Sequence, residues 1–280
     1  MNLKKSQIAL SNFPYYKHSL EYTLNALEKL GGGAMELYAC DPHFHVDDCG
    51  LPEVMALKKK LKSHGLYPIC ITPEQCMYPV NIASPNPVRR KASVDTYVRV
   101  LQYANELEVP KVQFHAGFTT LDHEPDEAWQ RSADSLHYLA DIAEGYGVTI
   151  VMESAPAIYT VLTSSEKSAK MIREINSPNL KGMIDTLCLP RCNEDIDTAI
   201  ANLGADGVKH FHFSDGMKEE QACTHLVPGE GNLDLEHYLE AMSDIHYTGY
   251  ITIEMISPYE YRPDYAMKTS REWLLERLSD

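Results

Sequence analysis

Nothing in this chain approaches the roughly 18 consecutive apolar residues of a membrane span, so no membrane-spanning helix is expected. A cleaved leader is not expected either: Met1-Asn2-Leu3-Lys4-Lys5 carries two lysines, but Ser11, Asn12 and Pro14 follow too soon for an apolar signal core. The seven cysteines, Cys40, Cys49, Cys70, Cys76, Cys188, Cys192 and Cys223, contain no CxxC pair, are odd in number and are irregularly spaced. Reduced thiols and a cytoplasmic location are therefore expected. Cys188 and Cys192 have CxxxC spacing, which alone is a weak metal signal. Basic residues are scarce, 25 against 40 acidic ones, for a net charge of −15. Such a field repels phosphate backbones and anionic lipid, so neither nucleic acid nor membrane is an expected partner. The densest basic run, Lys58-Lys59-Lys60 with Lys62, falls in a helical stretch and reads as a solvated face. A GxGxxG turn after the first strand is missing, which removes the usual dinucleotide site. With no linker or low-complexity segment, residues 1–280 read as one domain.

What is present is alternation. Short apolar runs at residues 7–10, 34–38, 66–71, 111–114, 149–152, 181–184, 208–213 and 250–253 predict eight strands. Amphipathic stretches at 19–30, 52–64, 87–107, 125–146, 164–175, 195–203, 235–245 and 263–278 predict eight helices. Asn86 before Pro87, and Ser164 before an acidic first turn, are helix starts, and glycines punctuate the returns from helix to strand. Strict βα alternation implies a parallel sheet, and eight units in 280 residues imply the α/β fold class as a single closed (β/α)8 TIM barrel.

In that architecture chemistry collects where strands end. The fifth predicted strand runs into Glu153, the sixth into Asp185, the seventh ends at His212 and the eighth runs into Glu254. A lone acid at a strand end is ordinarily a loop ion pair. Four such groups in register would repel and desolvate one another unless a cation held them. One divalent ion of the Mn, Co, Mg or Zn kind, with manganese the first choice, suits this oxygen-and-nitrogen set. His210 shares a strand face with His212 and is expected to pack below it. His115, just past the fourth strand, is placed to bond a substrate hydroxyl or move a proton. His43, in the loop after the second strand, is either a substrate contact or a solvated loop histidine.

Taken together, several motifs resemble the xylose-isomerase-like TIM-barrel superfamily of sugar isomerases and epimerases, and within it the ketose 3-epimerases. They are Thr72-Pro73-Glu74 with Tyr78-Pro79-Val80-Asn81, Arg89-Arg90 opening a long helix, His115-Ala116-Gly117, and Ser177-Pro178-Asn179 ahead of Met183-Ile184-Asp185. Further on come Lys209-His210-Phe211-His212 with Asp215, Val227-Pro228-Gly229-Glu230-Gly231, and Thr248-Gly249-Tyr250 leading into Ile253-Glu254. The resemblance implies metal ligation by Glu153, Asp185, His212 and Glu254. It also implies proton exchange at a substrate carbon by Glu153 and Glu254 through a metal-stabilised enediolate, on a small carbohydrate substrate. The chain departs from the family pattern at three sugar-contacting places: Cys188 stands where a histidine is common, Tyr159 where a glutamate is, and the nearest basic residue after His212 is Lys218. Tyr159, Cys188 and Lys218 thus join His43 and His115 as candidate substrate contacts, with a buried filler the alternative for Cys188 and a solvated loop residue the alternative for Tyr159.

Four functions fit such a chain to different degrees. The leading one is an epimerase or isomerase of a ketose or ketose conjugate, expected as a homo-oligomer. Its rival is the lyase subunit of a C-glycoside deglycosidase, paired with a small β-rich subunit, with His115 as candidate base. An endonuclease IV-like nuclease would need three metals and a basic face. A non-catalytic sugar sensor would not need two carboxylates placed as acid and base.

Overall fold

The computed structural model describes residues 1–76, 80–122 and 126–280. Tyr78 and Pro79 of the second quoted motif, and Pro125 at the predicted start of the fourth helix, lie outside the described residues. Eight parallel strands close into a barrel in chain order, β1 (Ile8–Ser11), β2 (Gly33–Ala39), β3 (Leu66–Pro73), β4 (Lys111–Phe114), β5 (Thr149–Met152), β6 (Leu180–Asp185), β7 (Val208–Phe213) and β8 (Ile251–Ile253), with β1 pairing both β2 and β8. The surrounding helices are α1 (Leu20–Lys29), α2 (Leu51–Ser63), α3 (Pro87–Leu107), α4 (Asp126–Tyr146), α5 (Ser165–Ile175), α7 (Ile196–Leu203), α8 (Leu235–Asp244) and α9 (Pro263–Leu275), and a four-residue α6 (Cys188–Arg191) follows β6. All eight expected strands and eight expected helices are present. Tyr250 falls outside β8, and α6, only four residues long, left no periodicity to read.

Period-two alternation sorts each strand into two faces. On β4 the outward Val112 and Phe114 are fully buried against the helices, and the Tyr97 ring of α3 lies flat on Phe114 at a centroid separation of 3.9 Å. Burying a ring of that size contributes about 1.5–3 kcal/mol. The inward side chains form a separate small core of Ala9, Ala34, Ile69, Cys70, Val151 and Met183 inside the barrel. Helix starts follow the expected chemistry. Ser19, Asn86 and Ser164 each accept a backbone N–H from the first turn of α1, α3 and α5, each cap being typically about 1 kcal/mol. No helix among the described residues is long and apolar enough to cross a membrane.

Two quoted motifs prove to be backbone devices beside the barrel mouth. Gly117, after β4, has φ of +78°, and a Cβ there would lie 2.5 Å from the Ala83 nitrogen and 2.6 Å from Asn81 Oδ1. The Val227–Gly231 turn wraps a buried carboxylate. Asp215 Oδ2 accepts the N–H of Gly229 at 2.8 Å and Gly231 at 3.0 Å, while Oδ1 accepts Gly216 at 2.8 Å and Leu233 at 3.1 Å. A Cβ on Gly231 would lie 2.4 Å from Asp215 Oδ1, so the loop closes only on glycine.

Candidate metal centre and active site

The inward positions at the C-terminal ends of β5 to β8 bring Glu153, Asp185, His212 and Glu254 to one place, all buried. Ligand atoms of Glu153, Asp185 and His212 lie within 4.8 Å of one another, as do those of Asp185, His225 and Glu254. The two triads share Asp185, so five side chains converge. The fifth, His225, comes from the loop that Asp215 organises, where Leu226 pairs with Asp215 and the Ser214 hydroxyl meets His225 Nδ1 at 3.1 Å.

Asp185 and His212 are each held by one atom and leave another aimed inward. Asp185 Oδ1 accepts the N–H of Leu187 at 2.6 Å and Cys188 at 2.9 Å, at the start of α6. Its Oδ2 is buried with no hydrogen-bond partner among the described residues, and so are His212 Nδ1 and Glu254 Oε2. These orphans face one another, with His212 Nδ1 2.7 Å from Glu254 Oε2 and 3.7 Å from Asp185 Oδ2. Buried carboxylate oxygens and an imidazole nitrogen crowded this closely, with no hydrogen-bond partner for Asp185 Oδ2 among the described residues, are what a cation-binding set requires.

Electrostatics agree. Burial, then Asp185 and Glu254, hold the Glu153 carboxyl well above the usual carboxylate range, and burial with Glu254 pushes Asp185 up to about 7. Crowded carboxylates in a dry site resist ionisation until positive charge arrives. The donor set of carboxylate oxygens and imidazole nitrogen fits one divalent ion.

Beneath this centre lies Glu36, fully buried on β2. Its oxygens meet His212 Nε2 at 3.0 Å each, and Oε2 meets His210 Nε2 at 2.6 Å. Thr72 donates to Oε1. Burial alone would raise the Glu36 pKa, but His212 and His210 outweigh it and hold the carboxyl well below its ordinary value. His212 is thereby fixed with Nε2 turned to the carboxylate and Nδ1 turned to the centre, the arrangement of a metal-binding histidine oriented by an acid behind it.

A second relay fixes Glu153. Tyr97 donates to Gln75 Oε1, Gln75 donates to Gln113 Oε1, and Gln113 Nε2 donates to Glu153 Oε2 at 2.8 Å. His115 Nε2 is 3.5 Å from the same oxygen. Burial, with His212 adding, lowers its imidazole to about 4, so His115 is neutral and its Nδ1 is unpartnered.

Over the centre opens a cavity of about 300 Å³, lined by Glu153, Glu254 and His212, by His115, Gln113 and Gln75, and by Phe13, Tyr38, Tyr159, Ile256 and three cysteines, Cys76, Cys188 and Cys223. No lysine or arginine is among its described lining residues. Of the expected contacts, His115, Tyr159 and Cys188 reach the cavity. His43 does not: its Nδ1 meets Asn12 at 2.8 Å and its Nε2 the His18 carbonyl at 2.9 Å, which makes it a buried tie between the loop after β2 and the segment after β1. Lys218 also stands off, its backbone N–H bonded to Asn232 at 2.7 Å. Glu36, His225, Gln75 and Gln113 were not singled out from sequence. Only Glu36, an acid amid an apolar strand, left a readable trace there.

A closed parallel barrel with carboxylates and histidine gathered at its C-terminal mouth defines a class of small-molecule enzyme scaffold. The chain belongs to the xylose isomerase-like TIM barrel family, whose sequence model matches residues 24–277. It is 27% identical over 251 residues to fructoselysine 3-epimerase of Escherichia coli O157:H7, covering 87% of this chain and 88% of that protein. It is 24% identical to the D-psicose 3-epimerase of Ruminiclostridium cellulolyticum, covering 84% and 77%. The fold is shared with a crystal structure of IOLI protein with a bound zinc atom, at a TM-score of 0.79 and 18% identity over 96% of this chain and 97% of that one.

Proposed function

We propose that the protein is a divalent-metal-dependent epimerase or isomerase that removes and returns a proton beside the carbonyl of a ketose or ketose conjugate. The observation that carries this reading is the pair Glu153 and Glu254, two buried carboxylates bordering one cavity at a centre where Asp185 and His212, with His225 alongside, bring further ligand atoms together. Binding a sugar requires neither the crowding nor the desolvation of these acids, whereas proton transfer at carbon uses both. The family and the epimerase relatives support the same class.

Glu153, Asp185, His212 and Glu254, joined by His225, would hold the ion. When bound, it would polarise the substrate carbonyl and offset the negative charge of the enediolate. Glu153 and Glu254 exchange the carbon-bound proton. Gln113 keeps the Glu153 carboxylate aimed, and neutral His115 accepts from or donates to a substrate hydroxyl. The absence of lysine and arginine from the described lining favours a neutral sugar over a sugar phosphate. Tyr159, Cys188 and Ile256 supply an apolar wall that accommodates a second group on the substrate.

That wall also favours a second reading, elimination of an aglycone from a 3-keto C-glycoside with His115 as base. One experiment separates them. Metal-loaded protein is incubated in heavy water with ketoses, ketose-amines and 3-keto glycosides, and NMR follows each C–H. Exchange at one carbon of a ketose with inversion supports the epimerase; release of an aglycone supports the lyase; no exchange on any of them refutes both.

A further inference from the structure

The opposite end of the barrel carries a feature that proton chemistry at the C-terminal mouth does not use. Alternation that turns Gln113 and Asp185 inward also turns Lys111 and Lys181 inward at the N-terminal ends of β4 and β6. They open, with Lys209, into a hollow of about 470 Å³, where Thr149 and Thr248 add hydroxyls and Asp206 is the one carboxylate among the described lining residues. Lys111 and Lys181 are half-buried. The Lys111 ammonium donates to the Lys209 carbonyl at 3.1 Å, leaving two of its three donors free. None of the three lysines forms an ion pair among the described residues.

This concentration of positive charge is out of character for the chain, which carries a net charge of −15. Three ammonium groups facing one recess repel one another, and desolvation, first among the causes, lowers the Lys111 pKa. The arrangement is relieved by an anion. We propose that the N-terminal mouth of the barrel is a binding site for a small phosphate-bearing metabolite, held by Lys111, Lys181 and Lys209 with the hydroxyls of Thr149 and Thr248. The hollow is the size of an ordinary small-molecule pocket. Its innermost lysine belongs to the barrel's inward face, out of reach of a flat membrane or a nucleic-acid duplex. The site is separate from the catalytic one, whose described lining has no lysine or arginine.

The test is calorimetric titration of the metal-loaded full chain with inorganic phosphate at constant ionic strength, against sodium chloride as control. The expected result is saturable binding by the wild type. Affinity should fall at least about tenfold in Lys111→Met/Lys181→Met and several-fold in Lys209→Gln, whose exposed position leaves the fold intact. It should persist in Asp185→Asn, which disturbs only the far end. Equal affinity in the lysine variants, loss in Asp185→Asn, or no saturable heat above the chloride control would each overturn the proposal.

Discussion

Replacing Glu36 by glutamine isolates what lies beneath the proposed metal centre. The amide keeps the size but removes the charge, and it presents an N–H2 where the wild type presents an oxygen. Glu36 accepts from three donors, His210 Nε2 at 2.6 Å, His212 Nε2 at 3.0 Å and the Thr72 hydroxyl, all buried. One of those donors would face the new amide nitrogen. Two effects follow at different places. In folding, unpairing a buried ionic contact costs about 3–5 kcal/mol. In metal binding, His212 loses the carboxylate that turns its Nδ1 inward, and loss of such a partner lowers metal affinity by about 10–100-fold, or roughly 1.4–2.8 kcal/mol. Competition with a fluorescent chelator for manganese gives the affinity, and urea denaturation with and without metal gives the two stabilities. The expected result is a lower denaturation midpoint in both states and a metal affinity at least tenfold weaker. If Glu36→Gln folds and binds manganese within about twofold of wild type, then Glu36 does not orient His212 and the geometry has been misread.

Glu153→Gln and Glu254→Gln should each slow substrate proton exchange by about 10²–10⁴-fold with the fold retained; near wild-type exchange by both in deuterium-incorporation NMR would remove the acid–base assignment. Saturating divalent metal should raise the melting temperature of chelator-treated protein, since about 100-fold excess over Kd is worth about 2.7 kcal/mol, and Asp185→Asn should abolish most of the rise; an equal rise in the variant would place the ion elsewhere. Gly117→Ala forces a side chain into a left-handed turn against the Ala83 backbone and should destabilise by more than about 1 kcal/mol, read from the denaturant midpoint. Cys188→His with Tyr159→Glu should shift kcat/KM from ketose conjugates carrying a large second group toward small free ketoses; an unchanged ratio would mean these two side chains do not select the substrate.

Much of the centre was legible because strand ends are legible. Glu153, Asp185 and Glu254 each interrupt or close an apolar strand run, and a period of two places them on the inner face without further information. His210 and His212 follow from the same parity, and His210 does pack below. Glu36 obeys that rule too, but it sits mid-strand, where burial of an acid makes sense only once His210 and His212 are seen above it. His225 could not be read, because its position depends on a loop folded around Asp215 and on four backbone contacts that sequence spacing does not encode. Gln75 and Gln113 carry no charge to draw the eye, and their importance lies in being linked. His43 shows the converse: a histidine in a conspicuous loop whose nitrogens are already committed to Asn12 and the His18 carbonyl.

The cavity is assembled from two kinds of chain. Glu153, His212 and Glu254 stand at strand ends and are braced by the barrel, while Cys76, Tyr159, Cys188, Cys223 and Ile256 come from the connections above it. The reactive centre and the substrate-facing wall can therefore diverge at different rates. A lineage could exchange the wall residues one by one, trading one sugar conjugate for another, while the chemistry below is inherited unchanged. For the engineer the same division marks where to randomise and where to leave alone: libraries built on the five wall positions explore new substrates, whereas changes at Tyr97, out on α3 and remote from the cavity, reach Glu153 through two glutamines and would be felt by every substrate alike.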